Sequence, residues 1–374
     1  MKRTLVKLIY RFIFSIKYRV KVKKDDYKYN RKEPYFIIGN HLFEHDGLLQ
    51  SIYLRKQPFV LVNELELTSK VKAYWYKEVL KGIVINKDQY NIIALKQIKQ
   101  RIKENHSIMI FPEFESSLFG DFVPYSLSLA KLIKQQSIDL VVVKTSGAYL
   151  TYPRWGKGSV FKGKIELSYR LLMSKEKVKL SSVEEIHQQL LLSLEHDDFF
   201  WNQEEKYLYK PKTRAVGLEN YIYYCPVCSN HQTIATKRNS INCSRCGEIA
   251  RFNSYSLLSG LEFIDLSSWN QLQKKALPNI LSQAVFTEGV MYSYDRRDRE
   301  LTNLDRVDIE INPLSKIVFI QNRDEELAFD ISKISSLQLI RKNEVVIKYK
   351  HIIYILQVKD PMLLIDAILF LKKQ

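Results

Sequence analysis

Pro34-Tyr-Phe-Ile-Ile-Gly-Asn40-His41-Leu-Phe-Glu-His-Asp46 decides how the first half of this chain is read. Tyr35–Ile38 is a compact run of aromatic and β-branched residues that gives way at Gly39 and Asn40 to polar sequence. That is the pattern of a short buried strand ending in a loop. Working outward, Gln57–Asn63 and Gly82–Asn86 are further apolar, β-branched runs. Asn91–Glu104 sets Ile92, Leu95, Ile98 and Ile102 at helical spacing, and Ser107–Phe111 reads as the next strand. Ser126–Gln136 follows as a helix and Asp139–Val143 as a strand. Strands alternating with helices predict an α/β domain with a largely parallel sheet and flanking helices. Such sheets gather their reactive loops at the carboxyl ends of the strands.

The loop after the first strand holds His41 and, five residues on, Asp46. A histidine can remove the proton of an attacking hydroxyl near neutral pH, given the right tautomer. A carboxylate on the other ring nitrogen fixes that tautomer and stabilises the imidazolium that forms. The separation lets a loop histidine meet an aspartate in the first turn of a following helix. His45 competes with His41 as the base, and a structural histidine is the plainer alternative for either. Two further motifs stand at strand ends. Phe111-Pro112-Glu113 runs from a strand into a proline-marked turn, with Ser116 and Ser117 beyond it. Its glutamate could accept hydrogen bonds from a polyol. Gly82-Ile-Val-Ile-Asn86-Lys87 places a cation where it could meet a phosphate.

In this order, Asn-His-x4-Asp, then Gly82 to Lys87, then Phe-Pro-Glu and Ser, residues 30–200 resemble the glycerolipid acyltransferase family, which includes 1-acylglycerol-3-phosphate acyltransferases. Gly147-Ala-Tyr-Leu-Thr-Tyr-Pro153-Arg154-Trp155 resembles a bacterial lysophospholipid-acyltransferase-like branch of it. The resemblance implies an acyl-CoA or acyl-carrier-protein donor and a lysophospholipid-type acceptor. It implies His41 as general base, Asp46 as its orienting partner, and Lys87, Phe111, Pro112, Glu113 and Ser117 along the substrate. The family's third motif carries an arginine where this chain has Ser116, and Glu115 adds negative charge beside it. Losing a bidentate phosphate contact and gaining a carboxylate disfavours a phosphate dianion and leaves room for a less charged acceptor.

Cys225-Pro-Val-Cys228 and Cys243-Ser-Arg-Cys246, followed by Gly247, hold all four cysteines of the chain. Two such knuckles supply four thiolates for a closed tetrahedral zinc site, structural in role. Thr233–Ile241 between them reads as a β-hairpin. Redox use of the Cys-x-x-Cys pairs is the alternative. Clustered cysteines with none left over suit a reducing cytosol.

Lys and Arg number 58 against 41 Asp and Glu, giving +17 over 374 residues. That excess implies an anionic partner: lipid head groups, nucleic acid or a phosphorylated substrate. Through Lys24 the chain carries nine cations and no acid. Arg3, Lys7, Arg11 and Ser15 draw a polar stripe along an otherwise apolar helix, as expected of a helix in a membrane interface with its cations toward anionic lipid. No apolar run approaches the ~20 residues of a spanning helix, and charges interrupt any signal-peptide core. A peripheral protein on the cytoplasmic face of the membrane is expected.

The domain reading is therefore 1–30 basic interface segment, 31–210 acyltransferase domain, 215–255 zinc ribbon and 256–374 a small α+β domain. In the last, Val307, Ile309 and Ile311 alternate with acids, Lys316–Ile320, Val345–Tyr349 and Ile352–Val358 are strands, and Met362–Leu371 is a helix. Strands closed by one C-terminal helix predict a PH- or GRAM-like unit. Two rival functions remain: a degenerate lipid- or partner-binding protein on an acyltransferase fold, and a zinc-ribbon nucleic-acid-binding protein.

Overall fold

The computed structural model describes residues 2–24, 33–63, 74, 76, 80–85, 92–113, 116–156, 163–210, 212–295, 301–323, 325–341 and 343–374. The chain divides into two compact units, residues 1–153 with 160–210, and residues 154–159 with 211–374.

The first unit is built on seven strands: β1 (Val20–Lys24), β2 (Tyr35–Gly39), β3 (Phe59–Asn63), β4 (Ile83–Ile85), β5 (Ile108–Ile110), β6 (Asp139–Ser146) and β7 (Ile165–Met173). They lie in the order β1-β7-β6-β2-β5-β3-β4. β2 pairs parallel with β5 and β6, β3 parallel with β4 and β5, and β1 parallel with β7. β6 and β7 pair antiparallel, so the sheet is mixed. Between those two strands the described residues hold a one-turn helix (Ala148–Thr151), and β7 lies antiparallel to its neighbour. Parallel return would need a full crossover.

All five residues of β2 are buried, as expected of a central strand covered on both faces. Phe36, Ile38, Ile108, Ile110, Leu140 and Val142 from the strands pack in one core with residues of the helices Ile92–Lys103, Ser128–Gln136 and Val183–Leu194. This core fixes the carboxyl ends of β2, β5 and β6 side by side.

The N-terminal helix, α1 (Lys2–Tyr18), sits against α2 (Asp46–Ile52) in the opposite sense to the sequence expectation. Lys7 Nζ donates to Leu54 O at 3.3 Å and Arg11 Nε to Ile52 O at 2.8 Å. A helix C-terminus leaves carbonyls unsatisfied and carries partial negative charge, so it draws these cations inward. Leu8, Ile9, Phe12, Ile13 and Ile16 are left exposed. The side chain of Arg3 lies outside the described residues. No described helix is long and apolar enough to cross a membrane.

In the second unit a four-stranded antiparallel sheet runs β11-β10-β9-β8, from β8 (Ile234–Lys237), β9 (Ser240–Cys243), β10 (Gly247–Phe252) and β11 (Leu258–Ser259). The hairpin expected between the cysteine knuckles is β8–β9. Seven further strands form an antiparallel sheet: β12 (Val285–Asp295), β13 (Leu301–Asn312), β14 (Ile317–Gln321), β15 (Glu326–Asp330), β16 (Ile334–Arg341), β17 (Glu344–Tyr349) and β18 (Ile352–Val358). Their order is β15-β14-β13-β12-β18-β17-β16, two meanders joined through β12 and β18. The C-terminal helix Pro361–Lys373 is buried along most of its length, with Pro361 in its first turn.

Candidate active site

After Gly39 the chain turns through Asn40–His45 into α2, whose first residue is Asp46. Asp46 is fully buried. Its Oδ2 accepts from His41 Nδ1 at 3.0 Å, Leu42 N at 2.6 Å and Phe43 N at 2.9 Å. Burial raises the Asp46 carboxyl above its ordinary value, and the bonds from His41, Phe43 and Leu42 oppose that rise. Because Asp46 holds Nδ1, the imidazole is left with Nε2 as the nitrogen that can take a proton. His45 packs instead against the rings of Phe43 and Tyr152. The contact to Asp46 belongs to His41.

The turn is clamped from below. Asn40 Nδ2 donates to Thr145 O and Asn40 Oδ1 accepts from Thr145 N, both at 2.8 Å, tying the end of β2 to β6. Gln50 Nε2 donates to Asn40 O at 3.0 Å and Thr145 Oγ1 at 2.9 Å, and Gln50 O accepts from Tyr169 Oη at 2.6 Å. Gly39 allows this approach, since a Cβ there would stand 2.0 Å from Gln50 Oε1. Gln50, Thr145 and Tyr169 escaped the sequence reading. Their partners lie up to 119 residues away, and no local pattern marks them.

The end of β5 closes the other side. His41 N donates to Glu113 Oε1 at 3.3 Å, Ser117 N donates to His41 O at 2.7 Å, and the Phe111 ring lies 4.9 Å from the imidazole. Glu113 is buried, and this burial pushes its carboxyl well above the usual carboxylate range. The charges of Asp46 and Asp121 push the same way. Glu113 Oε2 has no hydrogen-bond partner. Pro112 is buried beside it. Ser117 is 1% exposed, and its Oγ accepts from Gly120 N at 2.9 Å and lies 3.4 Å from Asp121 Oδ1. Its hydroxyl thus bonds within the loop, and its backbone N–H holds the His41 carbonyl. Lys87, Phe114 and Glu115 lie outside the described residues; Ser116 is described.

Behind this loop, buried Asp198 accepts from Gly147 N at 2.7 Å and Tyr149 N at 2.9 Å, and its own N–H donates to Gly120 O. His196 Nε2 lies 2.7 Å from Asp198 Oδ1. This second His–Asp pair is sealed inside the protein and holds backbone. The described part of the Gly147–Trp155 run is thereby split: Gly147–Pro153 lies in the first unit and Arg154 and Trp155 in the second.

His41, Asp46, Phe111, Glu113 and Ser117 thus converge at the carboxyl ends of β2 and β5. Residues 19–145 match the family model described as Acyltransferase. That match lies within the first unit and is a likeness to the acyltransferase family. A similar solved structure is the 1-acyl-sn-glycerophosphate acyltransferase PlsC of Thermotoga maritima, 16% identical over 55% of this chain and 78% of that one, with a TM-score of 0.44.

In the second unit, Cys225, Cys228, Cys243 and Cys246 bring four sulfurs within 4.8 Å of one another. Cys228 Sγ and Cys243 Sγ are 3.7 Å apart. Metal–sulfur bonds of about 2.3 Å in a tetrahedron separate the sulfurs by about 3.8 Å, so the cluster fits one ion. Gly247 takes the left-handed conformation at φ +77°, and Arg245 N donates to Cys243 Sγ at 3.4 Å. These four residues can hold a metal ion.

Proposed function

We propose that the acyltransferase domain moves a fatty acyl group from acyl-CoA or acyl-carrier protein to a hydroxyl of a lysophospholipid-type or other lipid acceptor. The observation that carries this reading is the 3.0 Å contact of His41 Nδ1 with buried Asp46 beside Glu113. His41 Nε2 takes the proton of the acceptor hydroxyl as its oxygen attacks the thioester carbonyl. The carbon–sulfur bond then breaks, and the departing thiolate receives the proton from the imidazolium. Asp46 stabilises that imidazolium and fixes its tautomer, while Phe111, Pro112 and Glu113 line the acceptor, with Lys87 as a further contact. No covalent enzyme intermediate is required.

The protein works, on this reading, as a peripheral protein at the cytoplasmic face of an anionic membrane. Support comes from the exposed Leu8, Ile9, Phe12, Ile13 and Ile16 of α1, whose last residue, Tyr18, packs on Phe43 of the His41 loop. The apolar face enters the lipid boundary, and the net charge of +17 favours an anionic surface. Phe12→Ser with Ile16→Ser should release the protein from vesicles of anionic lipid. The cysteine site holds structural zinc, supported by four cysteine sulfurs and no vacant ligand position. Two antiparallel meanders and a C-terminal helix support a PH- or GRAM-like reading of the last 119 residues, 256–374.

Lipid profiling of cells carrying the wild-type chain or His41→Ala tests the activity. An acylated lipid should vanish and its lyso or hydroxyl precursor accumulate in the variant. Identical profiles would count against acyl transfer.

A further inference from the structure

Gln50 is fully buried on α2, one turn after Asp46 and so on the same face of the helix. Nothing in the acyl-transfer steps above uses it. Yet both bonds donated by its amide nitrogen run to the chain around His41. Nε2 donates to Asn40 O at 3.0 Å and to Thr145 Oγ1 at 2.9 Å. Thr145 in turn exchanges two 2.8 Å backbone bonds with the Asn40 side chain. One acceptor is therefore the carbonyl joined to His41, and the other belongs to the residue that holds Asn40 in place.

The peptide group between Asn40 and His41 is thereby held at both ends. Its carbonyl accepts from Gln50, and its N–H donates to Glu113 Oε1 at 3.3 Å. A peptide group is planar, so holding its two ends from different elements fixes its rotation. The following peptide is held as well, by Ser117 N on His41 O at 2.7 Å. With the backbone set on both sides, the Cα–Cβ direction of His41 is set too, and its ring reaches Asp46 Oδ2 at 3.0 Å. A single helix thus holds the imidazole through Asp46 and the backbone before it through Gln50.

The fold alone does not call for an amide at this position. Burying one costs free energy unless its polar atoms are bonded, and an apolar side chain of the same length would fill the space without that cost. The attachment of α2 to β7 does not depend on the side chain either, since it is the backbone Gln50 O that accepts from Tyr169 Oη at 2.6 Å.

We propose that Gln50 is a positioning residue for His41: with Thr145, it fixes the Asn40–His41 peptide so that the ring meets Asp46. The proposal rests on the acyl-transfer reading of the His41 loop and adds to it the side chains that hold the base in place. Neither takes part in proton transfer.

Gln50→Met tests this, because it keeps the length of the side chain and removes the N–H donors. With oleoyl-CoA as donor and lysophosphatidylcholine as acceptor, kcat should fall about 10- to 100-fold while KM for each stays within about 2-fold. Proton NMR supplies a readout that needs no turnover. The downfield signal of the His41 Nδ1–H bonded to Asp46, identified by its absence from His41→Ala, should weaken or vanish in Gln50→Met. Thr145→Val keeps the shape of the side chain and removes the acceptor, and should lower kcat about 3- to 10-fold. Thr145→Ser keeps the hydroxyl and should stay within about 2-fold of wild type. An undiminished kcat in Gln50→Met, a rise in KM matching the fall in kcat, or a downfield signal equal to that of the wild type overturns the assignment. So does equal kcat in Thr145→Val and Thr145→Ser, which decides the matter if Gln50→Met does not fold. Loss of the signal in Gln50→Met, with a wild type that consumes no acyl thioester, keeps the positioning role and removes acyl transfer; turnover by the wild type with the signal unmoved in Gln50→Met does the reverse.

Discussion

The His41 loop and the cysteine cluster solve one problem in two ways. Each must hold side chains at strand ends in a fixed arrangement. In the first unit the protein does this alone. Asp46 takes three donors on one oxygen, Asn40 and Thr145 exchange two hydrogen bonds, and Glu113 and Ser117 grip the backbone of His41 from the far side. All of it rests on a sheet covered on both faces. The cysteine cluster stands on strands of two to six residues and brings together four sulfurs within 4.8 Å. As thiolates these repel one another, and only a bound cation turns that repulsion into a crosslink. A site organised by hydrogen bonds should fail through its chemistry, and a site organised by a metal should fail through its fold.

Substitutions can break that contrast, beginning with the largest effect. Asp46→Asn should lower the acyl-transfer rate by about 10²- to 10⁴-fold while the circular dichroism spectrum is retained, because the amide still accepts from Leu42 and Phe43 but no longer stabilises an imidazolium. Stripping metal with 1,10-phenanthroline should abolish a calorimetric transition of the second unit, and metal analysis before stripping should find zinc; metal-free protein of equal stability would contradict the zinc reading. Gly39→Ala should destabilise the first unit by about 1–3 kcal/mol in urea, since its Cβ collides with a pinned Gln50. Turnover should slow with it. The smallest effect is one of pH. Glu113 has a raised carboxyl pKa in the folded protein, so it contributes stability below its unfolded value of 4.5, and that contribution is lost as pH rises through the raised value. Glu113→Gln should remove a slope of at most about 1.4 kcal/mol per pH unit from stability measured above pH 4.5.

What could be read from sequence was the part written locally. β2, β5 and β6 announced themselves as apolar runs, the helix Ile92–Lys103 by its spacing, and the cysteines by their knuckles. His41 and Asp46 were legible because the bond between them spans five residues. What holds them was not, because Thr145 is 105 residues from Asn40 and only the folded sheet makes them neighbours. β1, with three lysines in five residues, gives no apolar signal; it is an edge strand whose Lys23 pairs with Glu166 of β7 at 2.6 Å. The reversal of β7 depends on how the chain returns after β6, which periodicity does not encode. The polar stripe of α1 was visible, but its facing was misjudged: periodicity gives two faces of a helix, and the waiting carbonyls of Ile52 and Leu54 decide which one turns inward.

The central claim is that His41, poised by Asp46, is the base of an acyl transfer. Its most direct test is the rate at which purified protein consumes a long-chain acyl thioester in the presence of a lysolipid, measured for wild type and His41→Ala. Acylated lipid from the wild type and none above background from a folded His41→Ala protein is the predicted result. An unchanged rate in that variant would contradict it.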